Sequence, residues 1–391
     1  MAGQLDTDHP LAPPDSSIGG ARVVSADNFR AVLVAWIIAC HALLGYTAIG
    51  GWPYSEVTEA IVSPGVELAL SVVVGPTGLF VIGTFFFVAG MFAPHQMARM
   101  GPARFVRGRA VRLGVPWLFY TLLVWPLFMW LAYRSAGHPL SYWQVFLGRQ
   151  PFLDSGPLWF AQVLLDVSIG YALWTWVRRG RRFETKPLKG RHLVMVAATI
   201  ALVSFVVRLA YPARSEQIFD LHLWQWPQCV GMFCLGAIVS GQGWIRQVPA
   251  DIARRCGITL AATFAALPLI AASTGVTNVP RDGAPFLGGW RWQAPILDVV
   301  EAILVVAGSI WLLAMAQRRL TSQAVVWDHS ARAAYAAFML QVPVLIGLEI
   351  AARPLPLPAA AKMVPVAALA VAASFGLGWL IIRGTRLRRM L

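Results

Sequence analysis

Apolar residues fall along this chain in ten runs of about 20, the length that crosses a bilayer as a helix at 1.5 Å per residue. They cover approximately 29–49, 66–93, 113–133, 157–177, 192–210, 222–240, 253–274, 295–316, 333–352 and 363–382. The second run is long and contains Gly75, Pro76 and Gly78, which predict a kink or break. No repeat is evident, and the segments between runs are short loops. The pattern predicts an all-α integral membrane protein of about ten transmembrane helices. It divides into a disordered tail (1–25), a transmembrane domain (26–383) and a short basic tail (384–391). The first 25 residues are polar and Pro-rich and lack the basic, apolar and small-residue order of a cleaved signal peptide.

Composition agrees. The 391 residues are 58% hydrophobic and 13% charged, with 17 Trp and 20 Phe, against roughly 45–50% and about 25% in soluble domains. That excludes a disordered chain. The four Cys are scattered without metal-site spacing to His, so they read as small apolar packing residues, and no metal site is expected. The net charge of +14 is dispersed between apolar runs, which argues against a nucleic-acid partner. Its distribution is asymmetric. With the N-terminus placed inside, 24 of the 32 Lys and Arg fall on the cytoplasmic side. The outer loops hold seven (Arg134, Arg149, Arg214, Arg281, Arg291, Arg353 and Lys362), and Arg208 lies within a span. The positive-inside rule therefore predicts both termini in the cytoplasm.

The first span carries the sharpest chemical signal. Arg30 and His41 are eleven positions apart, about 20° from a whole number of turns and roughly 16 Å along the axis, so they share a face. Asp27, three residues before Arg30, lies near that face. Arg30 is expected at the cytoplasmic rim and His41 near the middle of the roughly 30 Å hydrocarbon layer. Ionisable side chains at such depth face the bundle interior or a water-filled cavity. His is the natural general base near neutral pH, and a helix-packing hydrogen bond is the alternative.

These residues resemble the opening signature of the acyltransferase-3 family of bacterial membrane O-acyltransferases. Other segments are similar to further elements of that family. They are Phe85-Phe-Phe-Val-Ala-Gly90, with Ala89 in place of Ser; Arg104-Phe-Val-Arg107 and Arg109-Ala-Val-Arg112, followed by Pro116; Gly156-Pro-Leu-Trp159-Phe160; and Gly231-Met-Phe-Cys-Leu-Gly236. Ser330 to Val344 resembles a late element in which Gln341 stands where His is common. The likeness runs from about residue 25 to 382, and its late part looks most like the branch of periplasmic glucan succinyltransferases.

The resemblance implies transfer of an acetyl or succinyl group from cytoplasmic acyl-CoA, a co-substrate and not a tightly bound cofactor. The acceptor is a hydroxyl of a glycan or a small molecule, and the setting is the bacterial inner membrane. His41, Arg30, Asp27 and Asp166 are the expected catalytic set, with Asp166 as a carboxylate to orient the imidazole or to pair with Arg208. Arg104, Arg107, Arg109 and Arg112 suit CoA phosphates, since guanidinium forks bind phosphate well; topology alone would also place them there. Trp159 is assigned to donor binding, with its indole N–H as one oxyanion donor. His222, Asp298 and Glu301 are assigned to acceptor binding, although the two carboxylates would also pair with Arg281 or Arg291. Glu67 and Glu349 are expected near water at span ends, and His95, His138, His192 and His329 in solvated loops. The competing function is a secondary transporter of a polar or anionic solute, but such proteins commonly show repeats and paired broken helices.

Overall fold

The computed structural model describes residues 23–47, 62–178, 187–215, 217–276 and 282–384. Most of both expected tails, Arg281 and much of the basic loop after residue 178 lie outside that set. Thirteen α-helices make up the described chain: α1 Val24–Leu44, α2 Pro64–Met100, α3 Pro102–Arg109, α4 Val115–Phe119, α5 Trp125–Ser135, α6 Tyr142–Leu147 and α7 Trp159–Val177. They continue as α8 Gly190–Ala210, α9 Trp226–Ser240, α10 Ala250–Thr274, α11 Ala294–Arg319, α12 Val325–Ala352 and α13 Ala359–Gly384. Nine segments among the described residues are long and apolar enough to cross a membrane, α3 to α5 counting as one from Pro102 to Ser135. The remaining expected span is shorter than its apolar run. Residues 222–225 are spent on a left-handed residue and a 3₁₀ turn before α9 begins, leaving a helix of 15 residues.

The α3–α5 segment is one bent rod. Two π-turns, Ala110–Gly114 and Tyr120–Val124, flank α4, and Pro116 and Pro126 each open the α-helical piece that follows. Pro76 and Pro94 lie inside α2, but the helix continues through the expected break.

At the centre stands α11, the most enclosed of the spans, packed against α8, α10, α2 and α1. Polar pairs fix its neighbours, as a hydrocarbon environment demands. The Thr84 hydroxyl on α2 meets that of Ser309 at 2.8 Å. The Asn28 amide of α1 donates to the carbonyls of Leu320 and Ser322, each at 3.0 Å, which ties the start of α1 to the α11–α12 connection. On the other side, α12 packs against α13 and α1. Cys229 and Cys256 are buried as expected, Cys40 is half-buried and Cys234 is exposed.

The Phe85–Gly90 and Gly231–Gly236 segments are the two halves of one helix crossing. A Cβ on Gly90 would land on the Phe233 carbonyl oxygen of α9, and one on Gly236 would land on the Phe87 carbonyl of α2. Small residues let backbones approach this closely in a membrane, where dispersion and not water exclusion drives helix contact. Gly236→Val should therefore force α2 and α9 apart. The expected cost is about 1–3 kcal/mol or more, read as a lower thermal midpoint in detergent. Gly170→Ala on α7, where an added methyl meets nothing within 4 Å, should leave the midpoint unchanged or slightly raised.

Candidate active site

His41 sits in the last turn of α1, deeper along its own helix than a mid-span position, because the helix begins at Val24 and not near residue 29. Its imidazole reaches α12. Nδ1 donates to the Gln341 side-chain oxygen at 2.8 Å, which leaves the imidazole lone pair on Nε2. Gln341 is 16 positions from Val325 and 11 from Ala352, so the contact lies about 24 Å and 17 Å from the two ends of α12. The Gln341 side chain is fully buried, and its amide nitrogen has no hydrogen-bond partner among the described residues.

The Arg30 end of the same helix is a basic cluster. Arg30 donates to Asp27 and is half exposed at 46%, with its guanidinium 5.8 Å from the Phe92 ring centroid on α2. One turn on, Gln96 accepts from Arg109 at 3.2 Å, and Arg109 also lies 5.2 Å from the Phe105 ring. Thus α2 brings Arg30 and Arg109 to one place, while Arg104, Arg107 and Arg112 are exposed. The Tyr335 hydroxyl of α12 donates to the Arg112 carbonyl at 2.9 Å, anchoring the first π-turn.

Several expected groupings dissolve. Trp159 begins α7 at the end far from α3, so it does not join the arginines. It stacks on His222 with ring centroids 4.3 Å apart. Asp166 is half-buried and makes no hydrogen bond or ion pair among the described residues; the group on His41 Nδ1 is Gln341. Asp298 and Glu301 do share a face, but their partner is Arg208, at 2.6 Å to each. All three side chains are at most 3% exposed, so these carboxylates tie α11 to α8 and are closed to a solute. Packing, not sequence proximity to Arg291, chose the partner. Glu349 is fully buried, contrary to its expected place near water. His95 lies inside α2, with its Nδ1 3.1 Å from the Ser240 hydroxyl.

The His222 end holds a second polar cluster, which the sequence marked only at His222. His222 Nδ1 lies 3.0 Å from the Asp220 carbonyl and 3.1 Å from its carboxylate. Asp220 also accepts from the Ser155 amide at 3.2 Å and hydroxyl at 3.3 Å. Asp154 accepts from Trp125 Nε1 at 2.7 Å and from the Gly156 amide at 2.8 Å. Arg149 donates to the Thr121 carbonyl at 2.7 Å. Burial, and then the neighbouring charge of Asp220, push the Asp154 carboxyl up to about 6 despite its hydrogen bonds. Burial disfavours the charged His222 ring, but the Asp220 hydrogen bonds and charge outweigh it and raise that group above its ordinary value.

A sequence profile described as an acyltransferase domain matches residues 23–383. The chain belongs to that acyltransferase-3 family and is an acyltransferase, a membership that gives the transporter alternative no support. No curated protein and no solved structure matches the chain.

The titrations at the His222 end carry a sign. Folded Asp154 keeps a proton that the unfolded chain releases above about pH 4, so its contribution to stability falls as pH rises from about 4 through 6. The His222 contribution is full below about 6.5 and is lost as pH rises through its higher folded value. Asp154→Asn should therefore flatten the pH 4–6 part of the thermal-midpoint profile in detergent and leave most of the part above pH 6.5 in place, since the Asp154 charge is the smallest of the causes that raise His222.

Proposed function

We propose that this enzyme moves an acetyl or succinyl group from cytoplasmic acyl-CoA to a hydroxyl of a carbohydrate or similar acceptor at the bacterial inner membrane, with His41 as general base. The observation that carries the proposal is the His41–Gln341 pair. An imidazole inside an apolar bundle has its Nδ1 proton held by a buried amide oxygen, which directs its basic nitrogen elsewhere. The same helix carries Arg30 about 16 Å away, beside Arg109, and guanidinium pairs suit a polyanionic donor. The distribution of basic residues supports placing that end in the cytoplasm.

In the reaction, His41 Nε2 takes the acceptor hydroxyl proton as the hydroxyl oxygen attacks the thioester carbonyl carbon. The tetrahedral intermediate collapses with cleavage of the carbon–sulfur bond, and the departing CoA thiolate recovers the proton from the imidazolium. The products are an ester and CoA thiol. Arg30 and Arg109 hold the donor, Asp27 sets the Arg30 guanidinium, and Gln341 keeps the His41 tautomer fixed. The glucan-modifying branch is the acceptor class that the late sequence element favours.

His41→Ala should lower turnover about 10²–10⁴-fold, measured as CoA thiol release by purified protein reconstituted in lipid. Arg30→Ala should act mainly on the KM for acyl-CoA. Wild-type turnover by a well-folded His41→Ala protein would sink the mechanism. Mass spectrometry of cell-envelope glycans with and without the gene identifies the acceptor by its lost acyl group.

A further inference from the structure

At the end of the bundle away from Arg30, a cavity of about 140 Å³ opens among Ser215, Gln217, Asp220, His222 and Trp224. We propose that this cavity is the acceptor's docking site, holding one ring of a neutral polyhydroxyl compound, a sugar or cyclitol, with a hydroxyl on His222 Nε2. The proposal rests on the acyl-transfer reading above for its place in the reaction, but its binding chemistry stands on this cavity alone.

Four observations carry it. First, the cavity suits a small polyol in size. At about 140 Å³ it is on the scale of one ring, and the rest of a larger acceptor would lie outside it. Second, its groups match alternating donors and acceptors. His222 Nδ1 is occupied by Asp220, while Nε2 makes no further hydrogen bond among the described residues. The Ser215 hydroxyl accepts from the Gln217 amide at 3.2 Å, which leaves its proton available to donate. Trp224 supplies a flat apolar wall, and among the described lining residues Arg214 and Asp220 carry one charge of each sign.

Third, the loop is held in costly backbone. Phe219, Asp220 and His222 have φ of 61°, 56° and 47°, the left-handed region that non-glycine residues rarely adopt. Such strain persists only where the surroundings over-determine it, and it clusters at ligand clamps. The surroundings impose it. Asp220 is bonded to Ser155, the Gln217 side-chain oxygen accepts from the Leu223 amide at 2.6 Å, and Trp224 lies 5.4 Å from the buried Arg208 guanidinium. Fourth, a line of packed side chains runs from the cavity wall toward the His41 site. His222 stacks on Trp159, and the next residue, Phe160, packs edge-on against Phe338 at 4.7 Å. Phe338 stands one turn before Gln341, the partner of His41.

The test is saturation-transfer difference NMR of the detergent-solubilised full chain, with glucose, galactose, mannose and myo-inositol as probes. At least one probe should receive saturation on its ring protons, and the signal should fall about tenfold or more in His222→Phe and Asp220→Asn, as loss of a charge-assisted hydrogen bond implies. Ser215→Trp, which fills the cavity while leaving the Asp220 and His222 side chains unsubstituted, should remove the signal too, and an unchanged thermal midpoint for that variant separates a filled cavity from a misfolded loop. No saturation of any probe, or an unchanged signal in Ser215→Trp, overturns the proposal. His41→Ala should bind the probe like the wild type, so failure of the base mechanism and failure of this docking site give different results.

Discussion

Arg208 held between Asp298 and Glu301 is the interaction on which one side of the bundle depends. A guanidinium at 1% exposure is tolerable only when it is paired, and here two carboxylates of α11 meet it. Helix α8 has few other buried positions (Leu193, Ile200, Ala201 and Ser204) and is otherwise apolar on its outer surface. Apolar contact alone specifies little in lipid, so the ion cluster decides where along α11 this helix rests. The Arg208 carbonyl then accepts from the Gly289 amide at 3.1 Å, and its guanidinium lies beside Trp224. The connection after α8 and the connection before α11 are thereby fixed by one residue.

The two ends of the bundle have opposite characters. Around Arg30 the cationic side chains are mostly exposed and few carboxylates oppose them. Around His222 the charged groups are buried or half-buried, hydrogen-bonded to backbone and of both signs. A bulky anion is accommodated by the first kind of surface, because guanidinium groups can adjust to phosphate positions. A small neutral molecule is distinguished by the second kind, where fixed donors and acceptors reject a wrong shape. His41 and Gln341 lie between them, at the level where neither surface reaches water freely.

The spans were legible in the sequence because a bilayer sets their length, and the Arg30–His41 relation because helical periodicity does. What failed was pairing across distance. Gln341 stood out only as a departure from a familiar pattern; its role depends on a contact between positions 300 residues apart, which no local periodicity encodes. Asp298 and Glu301 were rightly placed on one face, yet Arg208 was matched to the wrong candidate, since helix packing chose among several carboxylates. Asp154 and Asp220 gave no signal at all. Loop carboxylates are ordinarily solvated, and only the folded chain turns these two inward.

The paired π-turns around α4 have a consequence for chain length. Each sets one extra residue into the rod, which turns everything downstream by about 100°. Together they rotate Trp125, the donor to Asp154, by about 200° relative to Arg109, the neighbour of Gln96. Deleting one residue between 110 and 124 would leave hydropathy almost unchanged and still turn one end of the rod out of phase with the other. Exposed side chains of this stretch, such as Val111 and Leu123, constrain the rod less than its residue count does. The segment works as a spacer of fixed phase, and its length is inherited information in its own right.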